Sequence, residues 1–304
     1  MPTALALPEG YTQRPLTAAD AEAVTAVMAA SQLADVGEVL IELADIVADW
    51  SRPSYDVTAH TVGVLGPDGG LVAYAEVPHP DRGDASVHPD HRGRGLGTAL
   101  ARWMQERARE DGADVVGMPV PAGSDGDRLL ESLGYRVRWS SWVLELPEGA
   151  SIPQRALPEG YEVRAATPEE HEACWTVVED AFLEWSARER MPFADWIAMV
   201  VDRPGYAPWC LRVVTDPSGA VVACCVVFLT EDGREGYVEK LATRADQRGR
   251  GIAQALLADS FAATRAHGAA RASLSTDSRT GALGLYERLG MVVTSTWVHR
   301  AIDL

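Results

Sequence analysis

Residues 92–95 and 248–251 both read Arg-Gly-Arg-Gly, and these segments carry the residue types best suited to binding phosphate. Glycine lets the backbone approach a ligand closely, and the amides at the start of a helix point unsatisfied N–H donors outward. Each segment leads into a stretch, 96–103 or 252–256, whose apolar residues recur at helical spacing. A glycine-rich loop at a helix start predicts a pyrophosphate site, and the alternative is a solvated turn.

The two loops differ from the common nucleotide-binding loops. Neither matches the GxxxxGKS/T pattern of ATP sites or the GxGxxG pattern of dinucleotide sites, so both of those functions are disfavoured. A short strand, 85–87 or 241–243, is expected before each loop, which gives the order strand, loop, helix. Two arginines in each loop add local positive charge to an acidic protein.

The chain repeats itself. Residues 7–11 and 157–161 both read Leu-Pro-Glu-Gly-Tyr, at an offset of 150 residues, and the Arg-Gly loops follow at an offset of 156. Ordered matches of this kind indicate a tandem duplication. We therefore expect two domains, residues 1–148 and 159–304, joined by a linker at 149–158 within a stretch rich in Pro, Gly and Ala.

The offset between the copies rises from 150 to 156, so the second copy has six additional residues. These residues fall in one hairpin. Residues 226–241 predict a full hairpin with a turn at 231–236, whereas residues 77–83 contain two prolines and a glycine. Proline removes a donor from the strand ladder. The incoming strand of the first copy is therefore expected to be truncated.

Both loops resemble the donor-binding motif of the GNAT superfamily of N-acetyltransferases, Arg/Gln-x-x-Gly-x-Gly/Ala. The motif occupies residues 92–97 in the first copy and 248–253 in the second. The resemblance covers nearly the whole chain and implies an α/β fold, with each domain a mixed, mostly antiparallel sheet flanked by helices. It also implies acetyl-CoA as the acyl donor. The arrangement is similar to that of two-repeat members of the superfamily in which the second repeat is catalytic.

By this resemblance, a strand end and the loop after it hold acetyl-CoA. In the second copy these residues are Leu241, Ala242, Thr243, Arg248, Gly249, Arg250, Gly251, Ile252 and Ala253. In the first copy the counterparts of the strand end, Ala85, Ser86 and Val87, are degenerate, and the counterparts in the loop are Arg92, Gly93, Arg94, Gly95, Leu96 and Gly97.

The resemblance also assigns two catalytic roles in the second copy. Tyr286, in the late helix, is the general acid for the departing thiolate, and Glu239, on the strand before the loop, is the base for the amine. The first copy has Leu130 and Gly83 at the aligned positions, so it is expected to be non-catalytic. Two alternatives stay open: Tyr286 as an ordinary helix tyrosine, and Glu239 as a carboxylate paired with Lys240.

The resemblance places the acceptor amine beside residues 177–209. The apolar residues of 178–185 recur at helical spacing, which predicts a buried helix face rather than a ligand box. Glu179, Asp180 and Glu184 lie on the other face, where they would attract a cationic amine or simply be solvated.

Composition restricts the remaining functions. The 304 residues carry a formal net charge of −17, which disfavours binding to nucleic acid or to anionic membranes because both require a basic face. The four cysteines show neither metal-ligand spacing nor a CxxC pair, so we expect no metal and a reducing, cytoplasmic location. We recognise no export signal in the first ten residues and expect a monomer or homodimer.

The sequence therefore predicts an acetyl-CoA-dependent N-acetyltransferase acting on an unidentified amine by direct attack on the thioester. A non-catalytic acyl-CoA sensor is the alternative that the first copy favours, because its loop is intact and its acid is missing. A purely structural duplicate is a third alternative, and it leaves both Arg-Gly loops without a purpose.

Overall fold

The computed structural model describes residues 4–304, so residues 1–3 of the expected first domain lie outside the described residues. It forms two compact units. The first unit runs to Ser141 and also includes Ser295–Leu304, and the second unit is Trp142–Thr294. The last ten residues of the chain therefore belong to the first unit, although the repeat alone suggests a division near residues 149–158.

The first unit begins with a short edge strand and three helices that precede its main hairpin. Its strands are β1 (Thr12–Arg14), β2 (Thr61–Leu65), β3 (Leu71–His79), β4 (Arg82–Val87) and β5 (Val115–Pro121). Its helices are α1 (Ala21–Val36), α2 (Leu43–Trp50), α3 (Val57–His60), α4 (Leu96–Glu110) and α5 (Asp125–Ser132). Strand β6 (Arg136–Leu146) starts in this unit and ends in the next.

The second unit repeats this order. Its further strands are β7 (Glu162–Ala165), β8 (Leu211–Thr215), β9 (Val221–Leu229), β10 (Glu235–Thr243), β11 (Arg271–Asp277) and the start of β12 (Val292–Asp303). Its helices are α6 (His171–Leu183), α7 (Phe193–Val200), α8 (Ile252–Ala266) and α9 (Leu283–Arg288). Among residues 4–304, no helix is both long enough and apolar enough to cross a lipid bilayer.

Each unit builds a mixed sheet that contains a parallel pair of strands. The strand order is β1-β2-β3-β4-β5-β12 in the first unit, where β4 and β5 are parallel, and β6-β11-β10-β9-β8-β7 in the second, where β10 and β11 are parallel. The hairpins on either side are antiparallel. The expected α/β architecture, a mostly antiparallel sheet flanked by helices, is confirmed.

The helix after each loop is held by the apolar stripe that the sequence predicts. In α4, Leu96, Leu100 and Trp103 are buried against the sheet, and Ile252 and Leu256 are buried in the same way in α8. Burial of such side chains contributes roughly 1.5–3 kcal/mol each. The start of each helix, which follows the loop directly, is therefore fixed against the core.

The hairpin before the first loop is shortened on one strand only. Strand β3 has nine residues, as β9 does, but β4 has six where β10 has nine. Pro78 lies inside β3, where the register with β4 shifts between Glu76 and His79. The irregular register accommodates Pro78 because a proline there has no N–H to donate to a regular ladder.

The chain end completes the sheet of the first unit. The end of β12 pairs antiparallel with β5, from Trp297 opposite Pro121 to Asp303 opposite Val115. Arg300 is buried there and donates to Asp127 on α5 at 2.6 Å. Removing Arg300 would leave the Asp127 carboxylate without its ion-pair partner, so this pair fixes residues 297–303 against α5.

A carboxyl group is buried inside the first unit. Glu76 on β3 is only 6% exposed and accepts hydrogen bonds from the indole N–H of Trp50 at 2.9 Å and the hydroxyl of Tyr55 at 3.1 Å. Burial, with the nearby carboxylates of Asp49 and Asp84, raises the pKa of Glu76 to about 8. Glu76 therefore carries a proton at neutral pH.

This proton links the stability of the protein to pH. Between the ordinary pKa of glutamate, about 4.3, and the folded-state pKa of about 8, the folded chain holds a proton that the unfolded chain has lost. The free energy of unfolding is therefore expected to fall as pH rises through this window, by up to about 1.4 kcal/mol per pH unit. Glu76→Gln keeps an acceptor for Trp50 and Tyr55 and is expected to flatten the profile, as measured by urea unfolding at pH 5–9.

Glu106→Gln, an exposed change on α4, serves as the matched control and should keep the wild-type slope. An equally steep profile in Glu76→Gln would show that Glu76 does not hold the linked proton.

Candidate functional site

Left-handed glycines start both helices that follow the loops. Gly95 caps α4 with φ 84° and Gly251 caps α8 with φ 80°. Gly93 and Gly249, two residues earlier, also have positive φ, of 72° and 76°. A glycine cap has no side chain to accept from the first-turn amides, so those N–H donors remain for another acceptor. This geometry suits a phosphate group.

The first arginine of each loop acts as a brace. Arg92 donates to both carboxylate oxygens of Asp35, at 2.7 and 2.8 Å, and Arg248 donates to both oxygens of Glu184, at 2.6 and 2.7 Å. Arg248 also donates to the carbonyl of Thr243 at 3.1 Å. The loop is thereby tied to the strand before it and to the end of the first helix, and the charge of this arginine is already compensated.

The second arginine of each loop contacts a tyrosine from the Leu-Pro-Glu-Gly-Tyr repeat. Arg94 donates to the hydroxyl of Tyr11 at 2.5 Å, and Arg250 donates to the hydroxyl of Tyr161 at 3.2 Å. The Tyr161 hydroxyl in turn donates to Gln247 at 2.9 Å. From the sequence we assigned these tyrosines no role, although their exact repetition was the available signal. Each tyrosine lies near the start of its copy and, through the second arginine, helps to hold the loop in place.

The parallel strands of the second unit separate just before the loop. Strand β10 pairs with β11 from Glu235 opposite Arg271 to Val238 opposite Leu274, but β10 continues to Thr243. On its other side β10 stays paired with β9 as far as Thr243. The stretch 241–243, expected to contact the donor through its backbone, therefore lies beyond the recorded β10–β11 pairing, at the edge that leads into the loop.

Glu239 occupies a β-bulge at this separation. The register with β9 shifts between Val238 and Lys240, which makes Glu239 the extra residue. A bulge bends the strand and re-aims its side chains. The Glu239 carboxylate is partly exposed and accepts from the ammonium of Lys240 at 2.9 Å. Glu239 is thus paired with Lys240, which was one of the two alternatives for this residue. The bulge also places its carboxylate where β10 and β11 separate.

Tyr286 is buried in α9. It is 8% exposed and packs in the core cluster that contains Leu256, Cys225 and, at its margin, Leu241. Burial, with the neighbouring Cys225 thiol, raises the pKa of Tyr286 to about 12. The hydroxyl therefore keeps its proton throughout the physiological range. The aligned position in the first unit is filled by Leu130, which is also buried.

A residue of the expected linker lies over the second loop. The segment before β7 is held against α8, because Ile152 is buried and Gln254 donates to the carbonyl of Pro153 at 2.7 Å. A Cβ at Gly251 would overlap the side chain of Arg155. Arg155 is exposed, and no hydrogen bond or ion pair joins it to another residue of the described chain. It is a cation at the second loop that we did not identify from the sequence.

The acidic residues on the acceptor side are already paired. Glu179 is buried and accepts from Arg188 at 2.7 and 2.8 Å, and Asp180 forms an ion pair with Arg190. Glu184 accepts hydrogen bonds from Arg248 of the loop. These carboxylates therefore do not form a free acidic surface for a cationic amine. The buried helix face is confirmed, since Val178 belongs to the core and Phe182 packs against it.

The first unit contains a cavity of about 460 Å³ that is partly open to solvent, here called the first-unit cavity. All the expected donor-binding residues of the first copy line it except Arg94 and Gly95. Its walls also include Asp84 of β4, residues 118–121 of β5 and Leu130 of α5. In this unit the loop, the strand end and the late helix thus surround one space.

The chain is similar to known acetyltransferases in both units. Residues 165–291 match the acetyltransferase (GNAT) family, and residues 73–143 match the FR47-like protein family. The mycothiol acetyltransferase of Salinispora arenicola is 33% identical over 257 residues, which cover 79% of this chain and 81% of that one.

Solved structures show the same architecture. The GCN5-related N-acetyltransferase from Sphaerobacter thermophilus aligns with a TM-score of 0.75 and 31% identity, covering 98% of this chain and 96% of that one. A tandem GNAT protein from the clavulanic acid biosynthesis pathway aligns with a TM-score of 0.71 over 96% of this chain and 98% of that one, and at 19% identity it shows the fold alone. The chain is a tandem member of the acetyltransferase (GNAT) family.

Proposed function

We propose that the protein transfers an acetyl group from acetyl-CoA to an amine, and that the second unit carries the chemistry. The observation that carries this proposal is the difference between the late helices of the two units. The second unit buries a protonated phenol, Tyr286, in a cluster that reaches the parted strand, whereas the first buries Leu130. The two units thus share a loop but differ at the position where a proton donor is needed.

The donor would lie along the end of β10 with its phosphates at the second loop. The N–H donors of residues 249–253 and the positive end of α8 favour a pyrophosphate group there. Arg250 and Arg155 supply positive charge beside the same amides. The backbone of 241–243 would bond the pantetheine arm in place of the missing strand partner. In the first unit, the cavity lined by 85–87 and 92–97 would bind the same donor without turnover.

Acetyl transfer then requires three actions of this unit. Glu239 would accept a proton from the acceptor, directly or through a water, so that the amine is neutral when it attacks the thioester carbon. Backbone amides near 241–243 would stabilise the negative oxygen of the tetrahedral intermediate. As the new C–N bond persists and the C–S bond breaks, Tyr286 would give its proton to the departing thiolate.

The acceptor class rests on the relatives. They carry the name mycothiol acetyltransferase, so the acceptor of those enzymes is the first amine to test. Two cations lie against aromatic rings on this side of the unit: Lys240 is 5.8 Å from the Phe182 ring centre, and Arg279 is 4.7 Å from that of Trp185. Both cations are paired with carboxylates, Lys240 with Glu239 at 2.9 Å and Arg279 with Asp277 at 2.5 Å, so their charges do not select the acceptor.

Calorimetric titration of acetyl-CoA into the wild type, Gly251→Trp and Gly95→Trp tests where the working donor site lies. Both glycines have φ near +80°, so tryptophan strains the backbone of both caps, and in Gly251→Trp it also displaces the Arg155 side chain. In the titration we expect the wild type to bind acetyl-CoA. In an assay of acetyl transfer we expect Gly251→Trp to lose activity and Gly95→Trp to retain it. Absence of heat with the wild type would refute acetyl-CoA as donor, and full activity of Gly251→Trp would refute the placement.

Tyr286→Phe tests the proton donor. Removing the hydroxyl should lower kcat by about 10²-fold or more and leave the KM for acetyl-CoA nearly unchanged, because the ring still packs in the core. Tyr206→Phe, in the same unit, is the matched control and should retain wild-type kcat. Steady-state kinetics with the first amine found to be acetylated measures both. Unaltered kcat in Tyr286→Phe would remove this residue from the mechanism.

Arg155→Ala tests the contribution of the linker cation. If Arg155 faces the donor phosphates, its loss should weaken acetyl-CoA binding on the order of three- to tenfold, and the effect should shrink at high salt. The position aligned with Arg155 in the first copy is Leu5. Arg234→Ala, an exposed arginine in the turn between β9 and β10, controls for net charge. Tighter binding in Arg155→Ala would show instead that this side chain obstructs the loop.

A further inference from the structure

One hydroxyl at the end of β10 is buried without a hydrogen-bond partner. Thr243 is 9% exposed, and its side-chain oxygen makes no hydrogen bond to any of residues 4–304. Other buried hydroxyls of this unit are satisfied, since Ser260 donates to the carbonyl of Leu256 at 2.8 Å and Thr264 to that of Phe261 at 3.0 Å. Buried polar groups are ordinarily hydrogen-bonded, so the exception at Thr243 requires an explanation.

The Thr243 hydroxyl lies on the face of the sheet that carries the late helix. Residues 241–243 pair with β9 in regular register, so the side chains of Leu241 and Thr243 share one face and that of Ala242 lies on the other. Leu241 packs at the margin of the cluster that contains Tyr286, whereas Ala242 belongs to the cluster around α6. Thr243 is therefore on the Tyr286 face of β10, beyond the recorded pairing with β11.

The neighbouring groups of the chain are committed elsewhere or are apolar. The backbone carbonyl of Thr243 accepts from the guanidinium of Arg248 at 3.1 Å. The residue opposite Thr243 on β9 is Ala223, whose methyl group forms no hydrogen bonds. A partner for the hydroxyl therefore has to come from the side of β10 that faces the gap between the parted strands, where the proposed donor would lie.

The first unit shows that the fold does not need this hydroxyl. At the offset of 156, Thr243 corresponds to Val87, which has nearly the same shape with a methyl group in place of the hydroxyl. Val87 packs against the core of its unit and also lines the first-unit cavity. Strand, loop and helix thus form with valine, and an unpaired buried hydroxyl makes threonine the less stable choice. A ligand explains the threonine better than folding does.

The chemistry of the donor identifies the acceptor of this hydrogen bond. Acetyl-CoA offers phosphate oxygens and the amide carbonyls of its pantetheine arm. The N–H donors of residues 249–253 already suit the phosphates. Thr243 precedes them on the stretch along which the arm would lie. A hydrogen bond between a neutral hydroxyl and an amide carbonyl is worth about three- to tenfold in affinity.

We propose that the Thr243 hydroxyl donates to an amide carbonyl of the pantetheine arm and so makes the second unit the tighter donor site. This inference rests on the proposed donor site at the second loop. In the first unit, Val87 leaves the arm without this bond. One side chain, at a position where the sheet requires only the backbone, thereby distinguishes the unit that turns the donor over from the unit that only holds it.

Two substitutions at this position separate the hydroxyl from the methyl group. Thr243→Val should raise the Kd for acetyl-CoA about three- to tenfold, whereas Thr243→Ser keeps the hydroxyl and should bind nearly as tightly as the wild type. Urea unfolding without donor should give the opposite order. The midpoint of Thr243→Val should equal or exceed that of the wild type, and the midpoint of Thr243→Ser should be lower because a buried methyl group is lost.

Thr264→Val is the matched control, because it removes a buried hydroxyl that already has a partner. It should lower the unfolding midpoint and leave the Kd for acetyl-CoA unaltered. Calorimetric titrations are done in the full chain with and without Gly95→Trp, so that the heat of the second loop is separated from that of the first. ADP carrying the additional ribose phosphate of CoA keeps the pyrophosphate and lacks the arm, so Thr243→Val should not weaken its binding.

The outcomes distinguish this inference from the proposed function. Absence of heat with the wild type would refute the acetyl-CoA site itself, and this inference with it. Wild-type binding with an unchanged Kd in Thr243→Val, or a Kd raised equally in Thr243→Ser, would refute the hydroxyl contact alone. An equal loss of affinity for the fragment without the arm would place the contact on the pyrophosphate and overturn its assignment to the arm.

Discussion

In each unit a parallel pair of strands stops sharing hydrogen bonds before both strands end, and the sites depend on this separation. Backbone N–H and C=O groups at such a gap need partners, because an unpaired buried group costs free energy comparable to a lost hydrogen bond. The loop and the helix N-terminus follow the parted strand directly, at Gly251 in the second unit. The bulge at Glu239 lies where the β10–β11 pairing ends. A ligand that offers amides and then phosphates would meet these groups in chain order.

The two units share the parted strands, the loop and the helix that follows it, and they differ in the side chains buried around these elements. Both have the glycine caps, the braced arginine and the tyrosine that reaches the loop. The second unit fills the interior of β9 with valine and cysteine and keeps a phenol on α9, whereas the first buries Glu76 and replaces the phenol with Leu130. The loop and the helix start thus have the same backbone geometry in both units, and the units differ in a few side chains at aligned positions.

Much of the fold and of the candidate site was predictable from the sequence, and the features that were not predicted were missed for physical reasons. The duplication, the loops and the apolar stripes were visible because glycine and helical spacing leave local signatures. Glu76 was missed, because one carboxyl in an apolar strand resembles a solvent-facing residue until its neighbours are known. Arg155 was missed because a segment rich in proline and glycine predicts a passive linker, yet Ile152 anchors it to the core. The roles of Glu239 and Tyr286 rest on distances to a substrate, which no sequence pattern encodes.

The pairing of residues 297–303 with β5 has a consequence for how the protein is made. A ribosome synthesises the chain from its N-terminus, and domains ordinarily fold as soon as they emerge. Here the sheet of the first unit lacks its last strand, and Asp127 lacks Arg300, until residues 297–303 have left the exit tunnel. A chain that stops before these residues would leave the edge of β5 open, and an open strand edge invites pairing with other chains. Completion of the first unit therefore reports that translation of the second has finished.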